Sequence, residues 1–147
     1  MLQTKKTRYK NIEIIKLLFQ HGATIDNHDN ENILNYVNDN LIVEYLIKQG
    51  ADVNFIDDSG KSPLHNAPNV EVAQTLIRNG ARIDSYSDAN ITPLDYQYDC
   101  ENSAVAKIIK NAGGNFSNID YAVSFGEIKD VEKFLEQGIT INYKSKY

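Results

Sequence analysis

The sequence contains no tryptophan, a single cysteine, Cys100, and only three prolines in 147 residues. One cysteine excludes an internal disulfide and a cysteine-rich zinc site, and it suits a reducing compartment, so we expect a cytoplasmic protein. No apolar run extends beyond a few residues, which excludes a transmembrane helix. The basic segment 1–10 has no apolar stretch behind it, so we do not expect it to act as a secretory signal.

Positive charge is also scarce outside that segment. The net charge is −5 and the pI is about 5.1, although residues 1–10 contribute +4. This balance argues against nucleic acid as the main partner. Four cations without an amphipathic apolar face give little affinity for a membrane surface, so we expect no membrane partner either.

A short sequence pattern recurs five times along the chain. Its clearest copy, residues 69–84, reads NVEVAQTLIRNGARID. The apolar residues fall at helical spacing, and a glycine follows them where a helix C-terminus favours positive φ. Spacings of 28, 30, 33 and 25 residues between the glycines indicate stacked helical repeats rather than a closed globule. These marker glycines are Gly22, Gly50, Gly80, Gly113 and Gly138.

A shorter helix is predicted ahead of the longer one in two copies. Residues 62–65 (Ser-Pro-Leu-His) and 92–95 (Thr-Pro-Leu-Asp) place an N-cap residue before a proline at the first helical position. Residues 57–60 (Asp-Asp-Ser-Gly), just upstream, favour a turn. The unit is therefore a turn, a short helix, a tight link, a longer helix and a glycine stop.

These residues resemble the ankyrin repeat family. The resemblance is carried by Gly-Ala-Asp-Val-Asn at 50–54, by the Ser-Pro-Leu-His at 62–65 and by Leu76 and Ile77, and it covers about residues 11–142. It implies an all-α fold, an ankyrin-type solenoid of about five stacked helix-turn-helix repeats with partial terminal ones. The expected single domain 1–147 divides into a partial repeat 1–26, repeats at about 27–54, 55–84 and 85–117, and a C-terminal repeat 118–147.

Some repeats depart from the family pattern. About three residues are missing between His65 and Asn69, so the first helix of that repeat should be a turn short. The first repeat should contain only its longer helix, with little covering on its outer side. The last helix pair, residues 118–137, has an apolar stripe with charged residues between, which predicts a partial cap on the array.

No group of residues in the sequence predicts catalysis, so we expect no enzyme, no cofactor and no metal. His65 stands where the resemblance implies a hydrogen bond across the turn. His28 lies between aspartates in an asparagine-rich turn, without a second ligand group at fixed spacing. Asp57 and Asp58 are adjacent in a turn, whereas paired catalytic carboxylates face one another across a cleft.

The resemblance implies a non-catalytic protein–protein interaction module or scaffold, which binds a partner protein through its turn tips and concave helix face, and we expect a monomer. Two alternatives stay open: a regulatory repeat segment of a larger enzyme, and a decayed fragment without present function. The 17 Asn and 17 Ile are typical of AT-rich genomes. Compact arrays of this kind resemble those of intracellular bacteria and large DNA viruses, which implies a host-directed effector in the host cytoplasm.

Turn positions form the usual contact surface in ankyrin-like arrays, and the resemblance carries eight of them onto this chain. Ile56, Tyr86 and Ile91 place apolar side chains in turns that should face water, and exposed apolar patches often mark interfaces. Successive turns should lie side by side, with Tyr86 as the anchor of the contact. The predicted contact residues are Ile56, Asp58, Ser59 and Lys61 in one turn and Tyr86, Asp88, Ala89 and Ile91 in the next.

Overall fold

The computed structural model describes residues 2–25 and 32–139, with side chains described from residue 11 onward. Every regular element in these ranges is helical, which confirms the all-α prediction. Residues 26–31 and 140–147 lie outside the described residues, and with them the predicted turn at His28. The described elements are α1 (Leu2–Gln20), a 3₁₀ turn (Ile33–Tyr36), α2 (Asn40–Lys48), α3 (Val70–Arg78), α4 (Pro93–Asp99), α5 (Ser103–Asn111), α6 (Ile119–Phe125) and α7 (Ile128–Glu136).

Side-chain caps fix where several of the helices begin. At α3 the Asn69 side chain accepts a hydrogen bond from the backbone amide of Val72 at 2.9 Å. At α4 the Thr92 and Asp95 side chains and backbone amides form a reciprocal capping box, with Pro93 at the first helical position. These bonds satisfy amide donors that the first turn of a helix leaves without intrahelical partners.

Each longer helix ends in the same backbone motif, and the marker glycine makes it possible. After α2, Gly50 has φ +100° and donates its amide to the carbonyl of Ile47, while Ala51 donates to the carbonyl of Leu46, both at 3.0 Å. This pair of bonds is a Schellman motif, and its positive φ favours glycine. The same two bonds follow α1, α3, α5 and α7, so all five predicted glycine stops are confirmed.

The helices stack in one direction to form a solenoid. Helix α1 packs on α2, α2 on α3 and α3 on α5, while α4 packs on α5 and α6 on α7. The core lies between successive longer helices, because their apolar stripes face each other. Its fully buried large residues include Val43, Leu46, Leu64, Val72, Leu76, Leu94, Val105 and Ile109.

The first helix of the unit varies from repeat to repeat, so the array does not consist of five complete helix pairs. In the third repeat residues 63–66 form only a turn, as the three missing residues predict. In the second repeat the equivalent segment is the 3₁₀ turn Ile33–Tyr36, and only the last two repeats have α-helices there, α4 and α6. The first repeat is one long helix, because the polar segment from Leu2 is part of α1.

The last helix pair buries only part of its apolar stripe. Val131 and Phe134 pack against the core, but Ile128 is 79% exposed and Leu135 is 48% exposed. The apolar stripe of α7 therefore divides between an inner and an outer face. The outer face mixes these apolar side chains with exposed charged residues, among them Lys129, Glu132 and Glu136, so it is only partly polar.

Candidate protein-contact surface

The first predicted contact turn is a tight hairpin tip held by its own backbone. The Asp57 amide donates to the Lys61 carbonyl at 3.0 Å, and the Gly60 amide donates to the Asp57 carbonyl at 2.9 Å. The Asp57 carboxylate also accepts from the amides of Ser59 and Lys61, each at 2.9 Å. Asp57 therefore serves the turn, as its place in the sequence suggested, and Gly60 provides the positive φ of +71° that the turn requires.

The second turn repeats this geometry thirty residues later. The Ser87 amide donates to the Ile91 carbonyl at 3.0 Å, and the Asn90 amide donates to the Ser87 carbonyl at 2.8 Å. Asn90 takes the left-handed conformation of Gly60, with φ +59°. Asparagine tolerates this region better than most residues with a Cβ, so the turn survives the loss of the glycine.

The two tips lie side by side. The Asp88 amide donates to the Ser59 carbonyl at 3.1 Å. A Cβ on Gly60 would lie less than 3.0 Å from the backbone of Ser87 and from the backbone nitrogen and carboxylate of Asp88. The expectation that successive tips are adjacent is thus met, and we call residues 56–61 and 86–91 together the tip patch.

The eight predicted residues differ in how far they reach solvent. Ile56 is 43% exposed and Tyr86 is 53% exposed, so both apolar side chains project from the tips. Ile91 is half-buried, so it adds less free apolar surface than the sequence predicts. Lys61 is half-buried as well, and the exposed remainder of the set is Asp58, Ser59, Asp88 and Ala89.

Lys61 and Tyr96 join the first tip to the second short helix. The Lys61 ammonium donates to the Tyr96 hydroxyl at 3.2 Å and lies 4.3 Å from the ring centroid of the same tyrosine. The Tyr96 ring meets the His65 ring edge-on, with centroids 6.2 Å apart. Lys61 therefore supports the base of the tip patch rather than projecting from it.

His65 joins the two tips beneath the surface, and its predicted structural role is confirmed. Its Nδ1 accepts from the Ser62 amide at 3.0 Å, and its Nε2 lies 3.3 Å from the Ile91 carbonyl. Burial lowers the pKa of His65, although the hydrogen bond to Ile91 opposes that effect. The imidazole is fully buried and used by the fold, so it is not positioned for catalysis.

Amide side chains that the sequence analysis did not single out bind neighbouring repeats together. The Gln97 amide donates to the carbonyl of His65 at 2.6 Å and to that of Ala67 at 3.2 Å. Asn54 donates to the Gly80 carbonyl at 3.0 Å and accepts from the Arg82 amide at 2.8 Å. Each bond crosses one repeat, and no local pattern in a single sequence reports a partner about thirty residues away.

A groove of about 340 Å³ adjoins Tyr86 on the side of the last repeat. Asp84 and Asn115 line it, and the Asn115 amide and side chain donate to the Asp84 carboxylate at 2.8 and 2.7 Å. Lys133 closes the far side and donates to the side-chain oxygen of Asn115. Tyr86 therefore lines a groove of mixed character, in which these hydrogen-bonded polar residues lie beside the apolar side chains of Phe116 and Phe134.

The neighbouring tyrosines Tyr96 and Tyr98 are packed rather than projecting. The Tyr98 ring stacks on Phe125 with centroids 4.7 Å apart and on Phe116 at 5.9 Å. Burial, together with the negative charge of Asp130, raises the pKa of Tyr98. Tyr86 is thus the tyrosine of residues 85–100 that is most accessible to a partner.

Within residues 2–25 and 32–139 no three His, Cys, Asp or Glu side chains are grouped closely enough to hold a metal ion. Cys100 is exposed. None of the described helices is both long and apolar enough to cross a membrane.

The chain belongs to the ankyrin repeat family. The family model for ankyrin repeats in three copies matches residues 5–87, more than half of the sequence. This family is a general protein–protein interaction module and is generally non-catalytic. The match agrees with the stacked helices, the glycine stops and the projecting turns described above.

Three relatives illustrate how the likeness is distributed. The neurogenic locus notch homolog protein 1 of Danio rerio is 48% identical over 56 residues, 36% of this chain and 2% of that protein. A putative ankyrin repeat protein of Fowlpox virus is 27% identical over 70% of this chain and 34% of its own length. A putative ankyrin repeat protein of Rickettsia felis is 25% identical over 90% of this chain and 67% of its own length.

Proposed function

We propose that this chain binds a partner protein through the tip patch, with Tyr86 as the anchor. The observation that carries the proposal is the 53% exposure of Tyr86 on a tip that the fold holds rigidly. A tyrosine in this position offers a large contact area at low cost in side-chain entropy, and tyrosine is enriched among the residues that dominate binding energy.

The surroundings of Tyr86 define the chemistry of the partner. Ile56 on the adjacent tip extends the apolar contact, and the carboxylates of Asp58 and Asp88 lie on the same two tips. A partner that fits this surface has an apolar pocket for the tyrosine ring and basic side chains around the pocket. Complementary charge at the rim of an interface speeds association and selects the partner.

We further propose that the partner is a host protein and that the chain acts in the host cytoplasm. The support is the likeness to ankyrin repeat proteins of Fowlpox virus and Rickettsia felis, together with the composition typical of AT-rich genomes. The matched part of the Notch relatives is about 2% of their length, so their activities carry no weight for this chain.

A photo-crosslinking amino acid at position 86 tests both proposals. The full chain, carrying the crosslinker at position 86 or, as a control, in place of Tyr36, is irradiated in eukaryotic cell lysate. Tyr36 is also exposed but belongs to the second repeat, outside the tip patch. A protein captured from position 86 and not from position 36 is identified by mass spectrometry and then purified for affinity measurements.

Tyr86→Ala should weaken binding of that partner by about fivefold or more, equivalent to about 1 kcal/mol, while Tyr36→Ala leaves it unchanged. The melting temperatures of both variants should stay close to that of the wild type. Unfolding of Tyr86→Ala would mean that the ring supports the fold. Equal affinity in a folded Tyr86→Ala variant would place the interface elsewhere on the array.

A further inference from the structure

The longer helices share one register relative to their marker glycines, and this register separates two faces. The residues four and eight positions before the glycine form one face, and those three and seven positions before it form an adjacent face, roughly 100° further round the helix. In α2, α3 and α5 the first face is fully covered. Its residues there are Ile42 and Leu46, Val72 and Leu76, and Val105 and Ile109.

In α1 this face is open. Leu18 and Ile14 occupy the positions four and eight residues before Gly22, yet Leu18 is 55% exposed and Ile14 is about equally accessible. Leu17 beside them is exposed as well. We call these three residues the start face; the positions of Ile14 and Leu18 are buried in α2, α3 and α5.

Helix α7 is open on the second of these faces. Leu135 and Val131 lie three and seven positions before Gly138, where α2 has Ile47 and Val43 packed in the core. Leu135 is exposed, Val131 is only half-buried, and the exposed Ile128 continues the stripe by one helical turn. We call Ile128, Val131 and Leu135 the end face.

The two faces are therefore the complementary halves of the helix–helix contact that joins α2 to α3 and α3 to α5. Their electrostatics also match. Residues 1–25 carry five basic and one acidic residue, a net charge of +4, whereas residues 118–139 carry five acidic and two basic residues, a net charge of −3. The opposite net charges of these two segments favour contact between a start face and an end face over contact between two start faces or two end faces.

We propose that the end face of one chain docks on the start face of a second copy, which extends the solenoid head to tail. The interface is heterologous, because different surfaces of the two copies meet, and each added copy presents a fresh end face. This self-association replaces the monomer expected from the sequence. It uses neither Ile56 nor Tyr86 and is independent of partner binding at the tip patch.

Sedimentation velocity of the full chain over a wide concentration range tests the proposal. The wild type should show an average mass that rises above that of the 16.6 kDa monomer with concentration and continues beyond the dimer. Added salt should lower this average mass, because it screens the attraction between the positively charged segment 1–25 and the negatively charged segment 118–139. A wild type that stays monomeric at every concentration would overturn the proposal and leave both faces for a different protein.

Two charge substitutions identify the surfaces. Leu18→Lys blocks the start face and Leu135→Glu blocks the end face, and each variant alone should remain monomeric. An equimolar mixture should form a 1:1 dimer and nothing larger, because one intact start face and one intact end face remain. Association of either variant by itself would indicate a symmetric interface and contradict head-to-tail docking, as would a mixture that stays monomeric.

Both substituted residues are half exposed, so the variants should keep the wild-type circular dichroism and melting behaviour. Leu17→Lys and Ile128→Glu, at exposed positions of the same faces, are the replacements if either variant unfolds. Tyr86→Ala is the matched control. It should associate like the wild type, which separates this proposal from the one for the tip patch.

Discussion

His65 and Asp95 occupy the same position in successive repeats, but His65 donates a hydrogen bond to the following repeat whereas Asp95 accepts one. Nδ1 of His65 accepts from the Ser62 amide, so Nε2 carries the proton and donates to the Ile91 carbonyl. The Asp95 carboxylate instead accepts the Ser117 amide at 2.9 Å. One position of the repeat thus connects neighbours through a donor or through an acceptor, depending on its residue.

The His65 geometry predicts that stability falls as the pH falls below about 6.5, the ordinary pKa of histidine. Burial lowers the pKa of the folded imidazole, so the unfolded chain takes up the proton first and protonation favours unfolding. Urea midpoints measured between about pH 7.5 and 5.5 should decline in the wild type. His65→Gln should flatten this decline, whereas His21→Gln, at an exposed site, should retain it.

Gly60 should tolerate a methyl group less well than Gly80 does. Both have positive φ, so alanine at either site carries a conformational cost of about 1–2 kcal/mol. At Gly80 nothing lies within 4 Å of the added atom, but at Gly60 it meets Asp88. Gly60→Ala should therefore lower the free energy of unfolding more than Gly80→Ala in urea titrations; equal losses would contradict the close approach of the tips.

Leu76 is the residue whose truncation tests the register of the third repeat. It is fully buried, so Leu76→Ala should cost about 2–5 kcal/mol of unfolding free energy. Leu17→Ala is the control at protein concentrations too low for head-to-tail association, because its side chain is half exposed, and it should change stability by less than about 0.5 kcal/mol. Chemical denaturation of both variants measures the difference, and similar midpoints would mean that the third repeat is assigned in the wrong register.

Hydrogen exchange should be fastest at the start of the array and slowest within residues 62–110. Helix α1 packs on α2 and leaves Ile14 and Leu18 exposed, and stability in a solenoid depends on contacts between adjacent repeats. Hydrogen exchange should be measured at low protein concentration, so that head-to-tail association does not protect the amides of α1. Uniform protection, or protection highest near residue 15, would contradict this order.

Much of the fold follows from local sequence signals. A glycine directly after an apolar stripe adopts without strain the positive φ that ends a helix, so all five helix ends could be placed from the sequence. The segment between His65 and Asn69 is too short for a full helix, and the chain forms a turn there. The helix ends and this turn depend on residues that are adjacent in the sequence, so the sequence alone predicts them.

The parts that could not be predicted depend on distant residues. The apolar periodicity of α7 places Ile128 and Phe134 in one stripe. It does not show that a neighbouring repeat covers Phe134 and leaves Ile128 exposed. Ile91 and Lys61 fit the turn positions of the family, yet packing against the helices makes both half-buried. Gln97 binds carbonyls about thirty residues away, and nothing adjacent to it in sequence indicates that contact.

The hydrogen bond from Asp88 to Ser59 has a thermodynamic consequence for recognition. It locks two neighbouring turns into a preorganised epitope, so a ligand does not have to order a loop when it docks. The heat-capacity change of association should then reflect only the apolar area removed from water, without the larger contribution of coupled folding. Calorimetry at several temperatures would distinguish such rigid docking from induced fit.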